Sequence, residues 1–141
     1  MSEQKVDYSR LEVGYEFPQT TFRLDSSSVA DYISAVGETS PIYRNSKLVP
    51  PMAIAAFAMA ALSKGFSLPS GAIHVSQEME FLNAVSTSDF ITSHAKVSRK
   101  QKRSIFHILT IDFHAFNQDD KAVLAGKTEF ILPESNTGGG K

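Results

Sequence analysis

Four histidines are the side chains in this sequence best suited to proton transfer near neutral pH. His74, His94 and His114 fall on the polar sides of segments in which apolar and polar residues alternate, which predicts surface positions. His107 shares its predicted face with three aliphatic residues, so we expect a hydrogen-bonded core or interface histidine. No two histidines have the helical His-Glu-x-x-His spacing, and no metal site is therefore predicted.

Other sources of reactivity are scarce. The sequence has no cysteine, which excludes disulfides, thiolate metal ligands and cysteine nucleophiles. Ser63 and Ser67 lack the context of a nucleophile elbow. The basic run Lys100–Arg103 is interpreted as a solvated hairpin loop rather than a phosphate contact. With 14 Lys+Arg against 15 Asp+Glu, the net charge of −1 argues against a nucleic-acid partner.

The length and composition predict one globular domain. The chain has 141 residues, of which 42% are hydrophobic and 21% charged, and this balance excludes wholesale disorder. We expect a single domain over residues 1–133 and a disordered, Gly-rich tail over 134–141. The opening MSEQKVDYSR lacks the apolar run of a signal peptide, and no apolar stretch reaches the roughly 20 residues of a membrane span. A cytoplasmic protein without a membrane partner is therefore expected.

The element that must position any site is the most apolar stretch, Met52–Leu62 (MAIAAFAMAAL). Its alanines and methionines favour a helix. Pro50 and Pro51 precede it, where proline is tolerated in the first turn, and Gly65 provides a stop. Because the helix is apolar all round, we expect it to be buried on every side.

The rest of the chain supplies strands to cover that helix. Thr20–Leu24 predicts a strand, and Val29–Val36 predicts a short helix that ends at Gly37. Alternating or β-branched segments after the long helix predict four antiparallel strands, with the third in the centre of the sheet. These segments are Ile73–Leu82, Phe90–Val97, Ile105–Phe116 and Ala122–Leu132. Strands segregated from helices indicate an α+β fold.

The segment Tyr32–Tyr43 (YISAVGETSPIY) resembles the signature of the MaoC-like hydratases and dehydratases, roughly Y-x-x-x-(S/V)-G-D-x-N-P-x-H. Gly37 and Pro41 match that pattern. The resemblance continues through Pro50-Pro51, the Ala-rich helix and the segment HVSQEMEFLNAVSTSDFI, and it covers roughly residues 8–132. It implies the hot-dog fold, a curled antiparallel β-sheet wrapped around one long buried helix.

The resemblance also implies acyl-thioester chemistry without a cofactor. In this family an Asp–His pair holds the water that adds to a trans-2-enoyl-CoA or enoyl-ACP, which gives the (3R)-hydroxyacyl thioester. Here Glu38 stands at the position of the Asp, Tyr43 at that of the His, and Ser40 at that of an Asn. The implied substrate-binding residues lie at the start of the helix, where backbone N–H groups could polarise the thioester carbonyl. They are Pro51, Met52, Ala53 and Phe57.

The departures from the signature indicate a particular branch of the family. Glu38 is one methylene longer than Asp, and a phenol ionises near pH 10 whereas an imidazole ionises near about 6.5. Losing a general acid or base costs about 10²–10⁴-fold in rate. The pattern Gly-Glu/Asp-x-x-Pro-x-Tyr resembles the N-terminal, FAS1-like dehydratase-domain branch, in which a unit without the dyad supports a second unit that keeps it.

Three hypotheses follow for the function. The first is a subunit that binds acyl-CoA or acyl-ACP thioesters in a dehydratase or hydratase assembly, as a homodimer or as a heterodimer with a catalytic MaoC-like subunit. The second is a self-sufficient homodimeric (R)-enoyl-CoA hydratase that uses Glu38. The third is a non-enzymatic acyl-CoA-binding or scaffolding module.

Overall fold

The computed structural model describes residues 6–134. Short 3-10 turns occur at Tyr8–Arg10 and Pro41–Tyr43. The helices and strands of the described part follow one another in the order β1 Val6–Asp7, β2 Thr20–Arg23, α1 Ser26–Val36, α2 Pro51–Ser63, β3 Phe66–Ser67, β4 Ile73–Phe81, β5 Phe90–Arg103, β6 Phe106–Phe116 and β7 Ala122–Pro133.

The main sheet has five strands in the order β2-β5-β6-β7-β4, and every neighbouring pair is antiparallel. The predicted central position of Ile105–Phe116 is confirmed, because β6 lies in the middle of this order. The sheet's edges are β2 and β4. A second, two-stranded sheet pairs β1 with β3 in parallel. Strands of two residues carry no periodic signal, so the sequence did not reveal this pair. The α+β class is confirmed.

Capping residues fix both ends of α1, which ends at Gly37 as predicted but begins at Ser26, three residues before the predicted start at Val29. Asp25 is the N-cap, and its Oδ1 accepts a hydrogen bond from the Ser28 backbone N–H at 2.7 Å. Gly37 ends the helix in the left-handed conformation, with φ of 70°. The Ser28 N–H and the Ser27 hydroxyl hold the pKa of the Asp25 carboxyl below its usual value.

Helix α2 packs on one face of the sheet and forms the core with it. Ala53, Ile54, Ala55, Ala58 and Leu62 are its buried residues. The prediction that the helix is buried on every side was wrong. It has 13 residues, a length of about 20 Å, and one of its faces remains open. The side chains on that open face are Met52, which is 53% exposed, with Ala56 and Ala60.

The basic run does not form a loop, which corrects the interpretation made from the sequence. Strand β5 continues through Lys100–Arg103, each residue of which pairs with β6. The turn falls instead at Ser104, whose φ is 55°. Two carboxylates outside the strands offset the positive charge of this extension, because Lys100 Nζ lies 3.6 Å from a Glu12 carboxylate oxygen, and Lys102 Nζ lies 2.7 Å from one of Glu134.

The described residues end just inside the predicted tail. Glu134 donates its backbone N–H to the carbonyl of Ile105 at 2.9 Å. The remainder of the tail predicted over 134–141 lies outside the described residues. Among residues 6–134, no helix has both the length and the apolar character needed to cross a membrane.

Candidate functional site

The loop after α1 brings Glu38, Ser40 and Tyr43 into one short turn. The Glu38 backbone N–H donates to the carbonyl of Ile33 at 3.0 Å and so completes the end of the helix. The Glu38 carboxylate bends toward the following residues, and its Oε1 accepts the Ser40 N–H at 2.9 Å. Tyr43 is half-buried, and its N–H donates to the carbonyl of Ser40 at 3.3 Å. Within the described chain, no hydrogen bond joins the Glu38 carboxylate to the Tyr43 hydroxyl.

The segment between this loop and α2 is held by the loop that joins β4 to β5. The Val49 N–H donates to the carbonyl of Val85 at 2.8 Å, and the Thr87 N–H donates to the carbonyl of Lys47 at 2.7 Å. Val49 and Val85 are both buried. The start of α2 is therefore anchored to the sheet.

One backbone amide at the start of α2 is free to meet a ligand. Pro50 and Pro51 have no N–H to donate. The Ala53 N–H donates to the carbonyl of Pro50 at 2.9 Å. The Met52 N–H has no hydrogen-bond partner in the described part of the chain. Of the backbone N–H groups that the sequence predicted as donors to a thioester carbonyl, only that of Met52 is thus available at the start of α2.

The four predicted substrate-binding residues of α2 fall in different environments. Pro51 and Met52 are exposed, and Ala53 is completely buried. Phe57 is half-buried, and its ring packs against that of Phe22 with the centroids 6.1 Å apart. Met52 is the member of this set that lines a cavity.

Two adjoining cavities follow the open side of α2. The first, of about 350 Å³, lies between the two helices and β4. The second, of about 590 Å³, lies near the end of α2 and shares Met59 and His74 with the first. We call the two together the α2–β4 groove. Its remaining lining residues are Tyr32, Met52, Ala55, Ala56, Gln77 and Met79 in the first cavity, and Ala60, Leu62, Ser63, Phe66, Ser67, Leu68 and Phe130 in the second.

A further cavity of about 470 Å³ lies on the other side of α2, between the end of the helix and the edge strand β2. Its lining includes Phe17, Thr20, Leu62 and Ser93. Neither this cavity nor the α2–β4 groove is lined by the candidate dyad residues of the loop.

His74 is a functional candidate that the sequence did not identify. A β-bulge between His74 and Ser76 shifts the alternation of β4, so His74 and Gln77 both line the groove. The His74 ring stacks on Phe130, with centroids 4.9 Å apart, and its Nε2 lies 2.7 Å from Thr128 Oγ1. The predicted surface position of His74 is confirmed, because the residue is exposed, but the sequence did not indicate that its side chain borders the groove. The available signal was the His-x-x-Gln spacing, which places two residues on one side of a strand only across a bulge.

His94 and His114 lie on the polar face that the sequence predicted, whereas the hydrogen bond expected for the Nδ1 of His107 is not formed within the described residues. His94 and His114 are cross-strand neighbours on the sheet face away from α2. His107 is half-buried, and its Nδ1 is buried without a hydrogen-bond partner. Among the residues of the described range, no group of three or more potential ligands is arranged to hold a metal ion.

The antiparallel sheet packed on one helix, with an open groove beside that helix, is the arrangement of a hot-dog domain. Residues 12–125 match the family model described as "FAS1-like, dehydratase domain region". The chain therefore belongs to this family of hot-dog dehydratases and hydratases. No curated protein matches the sequence significantly.

Solved structures show the same fold at low sequence identity. The R-hydratase PhaJ1 from Pseudomonas aeruginosa has a TM-score of 0.77 and 21% identity, and the match covers 93% of this chain and 88% of PhaJ1. The (R)-hydratase from A. caviae involved in PHA biosynthesis has a TM-score of 0.72 and 20% identity over 88% of this chain and 98% of the other. A chain of the HadBC (3R-hydroxyacyl-ACP dehydratase) complex from Mycobacterium tuberculosis has a TM-score of 0.67 and 14% identity over 84% of this chain and 96% of the other.

Proposed function

We propose that this chain binds acyl thioesters as one subunit of a (3R)-hydroxyacyl-CoA or -ACP dehydratase, or of an (R)-specific enoyl-CoA hydratase. In this proposal it contributes the acyl-binding groove and a subunit interface, and a partner that carries an intact Asp–His dyad supplies the catalysis. The observation that carries the proposal is the α2–β4 groove, whose size lies in the range of small-molecule sites and whose walls are mostly apolar.

The small side chains of α2 support an acyl chain as the occupant of this groove. Ala55 and Ala56 line it beside Met52 and Met59, which leaves room for a slender apolar ligand along the helix. Burial of each CH₂ group of such a ligand stabilises the complex by about 0.8 kcal/mol. The free N–H of Met52 lies at the same end of the helix and supplies a donor for the thioester carbonyl.

The geometry of the loop that carries Glu38 and Tyr43 favours a non-catalytic role for this chain in the assembly. The Glu38 carboxylate accepts the Ser40 N–H at 2.9 Å, so this oxygen is already engaged by the backbone of its own loop. Tyr43 provides a phenol where proton transfer near neutral pH favours an imidazole. Without an Asp–His pair, the chain depends on another subunit for the chemistry.

The edge of the sheet supports an assembly. Strand β4 is an edge strand of nine residues, and it carries three exposed apolar side chains: Ile73, Val75 and Phe81. An exposed apolar edge strand is prone to pair with another chain. A second copy, or a related MaoC-like subunit, satisfies the free backbone groups of β4 and covers the open side of α2. The relative HadBC is by its own name a complex.

Binding of octanoyl-CoA, measured by isothermal titration calorimetry, tests the proposal. We expect wild-type protein to bind this ligand and Ala56→Trp to lose binding, because the indole fills the groove from an exposed position. Ala30→Trp is the matched control, since Ala30 is exposed on α1 and lies outside the groove. Absence of binding by wild-type protein, or equal loss in both variants, would contradict the proposal.

A further inference from the structure

The α2–β4 groove has one polar ring at the junction of its two cavities. His74 and Met59 line both cavities, so any chain that runs along the groove passes these two side chains. Two contacts hold the imidazole in place, a stack on Phe130 and the hydrogen bond between Nε2 and Thr128 Oγ1. Thr128 itself is completely buried. His74 is itself exposed, so its ring is fixed on one side by the buried Thr128 and by Phe130 and is open to the groove on the other.

The orientation leaves one ring nitrogen for a ligand. Nε2 is engaged by Thr128 at 2.7 Å, whereas Nδ1 has no hydrogen-bond partner within residues 6–134. If Thr128 donates its hydroxyl proton to Nε2, then Nδ1 carries the ring proton and donates. If Nε2 donates to Thr128 instead, Nδ1 accepts. Covering a polar atom without giving it a hydrogen-bond partner costs free energy. A ligand that fills the groove therefore binds more tightly if one of its atoms can form a hydrogen bond with Nδ1.

We propose that His74 Nδ1 recognises the 3-hydroxyl of a (3R)-hydroxyacyl thioester and thereby makes the groove selective for 3-hydroxyacyl over saturated acyl chains. A hydroxyl both donates and accepts, so it matches either arrangement of the imidazole proton. A saturated chain does neither and leaves Nδ1 unpaired. The proposal rests on the acyl-thioester binding proposed above, and it adds a specificity-determining residue to it.

Comparison of two ligands on the same protein tests this selectivity. Isothermal titration with (3R)-hydroxyoctanoyl-CoA and with octanoyl-CoA gives a ratio of dissociation constants. We expect wild-type protein to favour the hydroxyacyl ligand by about three- to tenfold, which is the effect of one net hydrogen bond. His74→Phe keeps a ring to stack on Phe130 but removes both nitrogens, so we expect the ratio to fall to about one while octanoyl-CoA still binds.

Two further variants keep the test decisive. His74→Phe leaves the buried hydroxyl of Thr128 without a partner, so the double variant His74→Phe/Thr128→Val replaces it if the single variant fails to fold. His114→Phe is the matched control, because it makes the same change at an exposed histidine outside the groove, and it is expected to keep the wild-type preference. A preference that persists in the double variant, or one that is lost equally in His114→Phe, would overturn the role of His74.

The outcomes also separate this inference from the proposed function. Wild-type protein that binds both ligands equally would overturn the selectivity and leave acyl-thioester binding in place. Wild-type protein that binds neither ligand would overturn both proposals. A preference abolished by His74→Phe and retained by His114→Phe would support both proposals.

Discussion

The ring of Phe113 on β6 lies directly against the backbone of Gly126 on β7. A Cβ atom built at position 126 would lie 2.7 Å from Phe113 Cζ and 2.3 Å from the carbonyl oxygen of Glu78 on β4. Position 126 pairs with Phe113 on one side and with Met79 on the other. Phe113 is the largest fully buried side chain of the sheet. The absence of a side chain at Gly126 lets the Phe113 ring lie close to β4, the strand that forms one wall of the groove.

We expect Gly126→Ala to destabilise the fold. The added methyl group meets backbone as well as a buried ring, so neither neighbour moves away cheaply, and overpacking of this kind costs typically about 1–3 kcal/mol. Chemical denaturation of the variant measures the loss of unfolding free energy. Gly65→Ala is the matched control, since its Cβ would come no closer than 3.2 Å, to the Phe17 side chain. Equal stability of the two variants would contradict the steric explanation.

The apolar edge of β4 leads to a prediction about assembly. We expect wild-type protein to form a dimer or a higher oligomer at micromolar concentration, and Val75→Lys to give particles near the 15.4 kDa of one chain. Light scattering measures both masses. Ile105→Lys is the control, because Ile105 is 74% exposed in the turn between β5 and β6 rather than on the edge strand. A wild-type mass near that of one chain would rule out this assembly.

The dyad positions lead to a prediction about activity. We expect the chain alone to hydrate crotonyl-CoA at least about a hundredfold more slowly than a MaoC-like hydratase that has the Asp–His pair, because it lacks one acid/base group. The assay follows loss of the enoyl absorbance for the two proteins under identical conditions. Comparable turnover would instead favour the self-sufficient hydratase, with Glu38 as its base.

The loop Gly37–Tyr43 offers a gain-of-function test. We expect Glu38→Asp and Tyr43→His together to raise crotonyl-CoA hydration, and each change alone to raise it little, because proton transfer requires both groups within about 2.6–3.2 Å of the reacting atoms. The shorter Asp side chain remains able to accept the Ser40 N–H, since Asp readily accepts from a backbone N–H two residues on.

Ser40→Asn, added to the double variant, supplies the amide at the remaining signature position. Each variant is first checked for folding and oligomeric mass. Failure of the double and triple variants to gain activity would mean that the loop has lost the geometry of the dyad. The chain would then only bind the acyl thioester or support a catalytic partner.

The N-cap of α1 leads to a prediction about pH. The hydrogen bonds from the Ser28 N–H and the Ser27 hydroxyl lower the pKa of the Asp25 carboxyl below its usual value. Their stabilisation is fully present above the unfolded pKa, near about 4, and is lost as the pH falls through the lower folded value. We expect Asp25→Ala to lower the melting temperature at pH 7, and this difference to shrink below about pH 4. The exposed Asp31 on the same helix provides the control Asp31→Ala, which should show no such narrowing.

Local patterns were sufficient to predict most elements of this fold. Alternation over Ile73–Leu82 and the apolar composition of Met52–Leu62 predicted β4 and α2 to within one or two residues, because side-chain periodicity follows directly from the backbone geometry of strands and helices. The caps Asp25 and Gly37 fixed the ends of α1 through hydrogen bonds and a backbone conformation that involve only neighbouring residues. The signature around Glu38 likewise identified the family.

Only the tertiary structure decided which surfaces these elements expose. The composition of α2 gave no reason to expect an open face, since it depends on where the sheet ends at β4 and not on the helix itself. The strand conformation of Lys100–Arg103 depends on pairing with β6 and on distant carboxylates. The place of His74 in the groove depends on a bulge against β7, and a shift of one residue reverses the face of a strand. Contacts between residues far apart in sequence set each of these features, so no local pattern could reveal them.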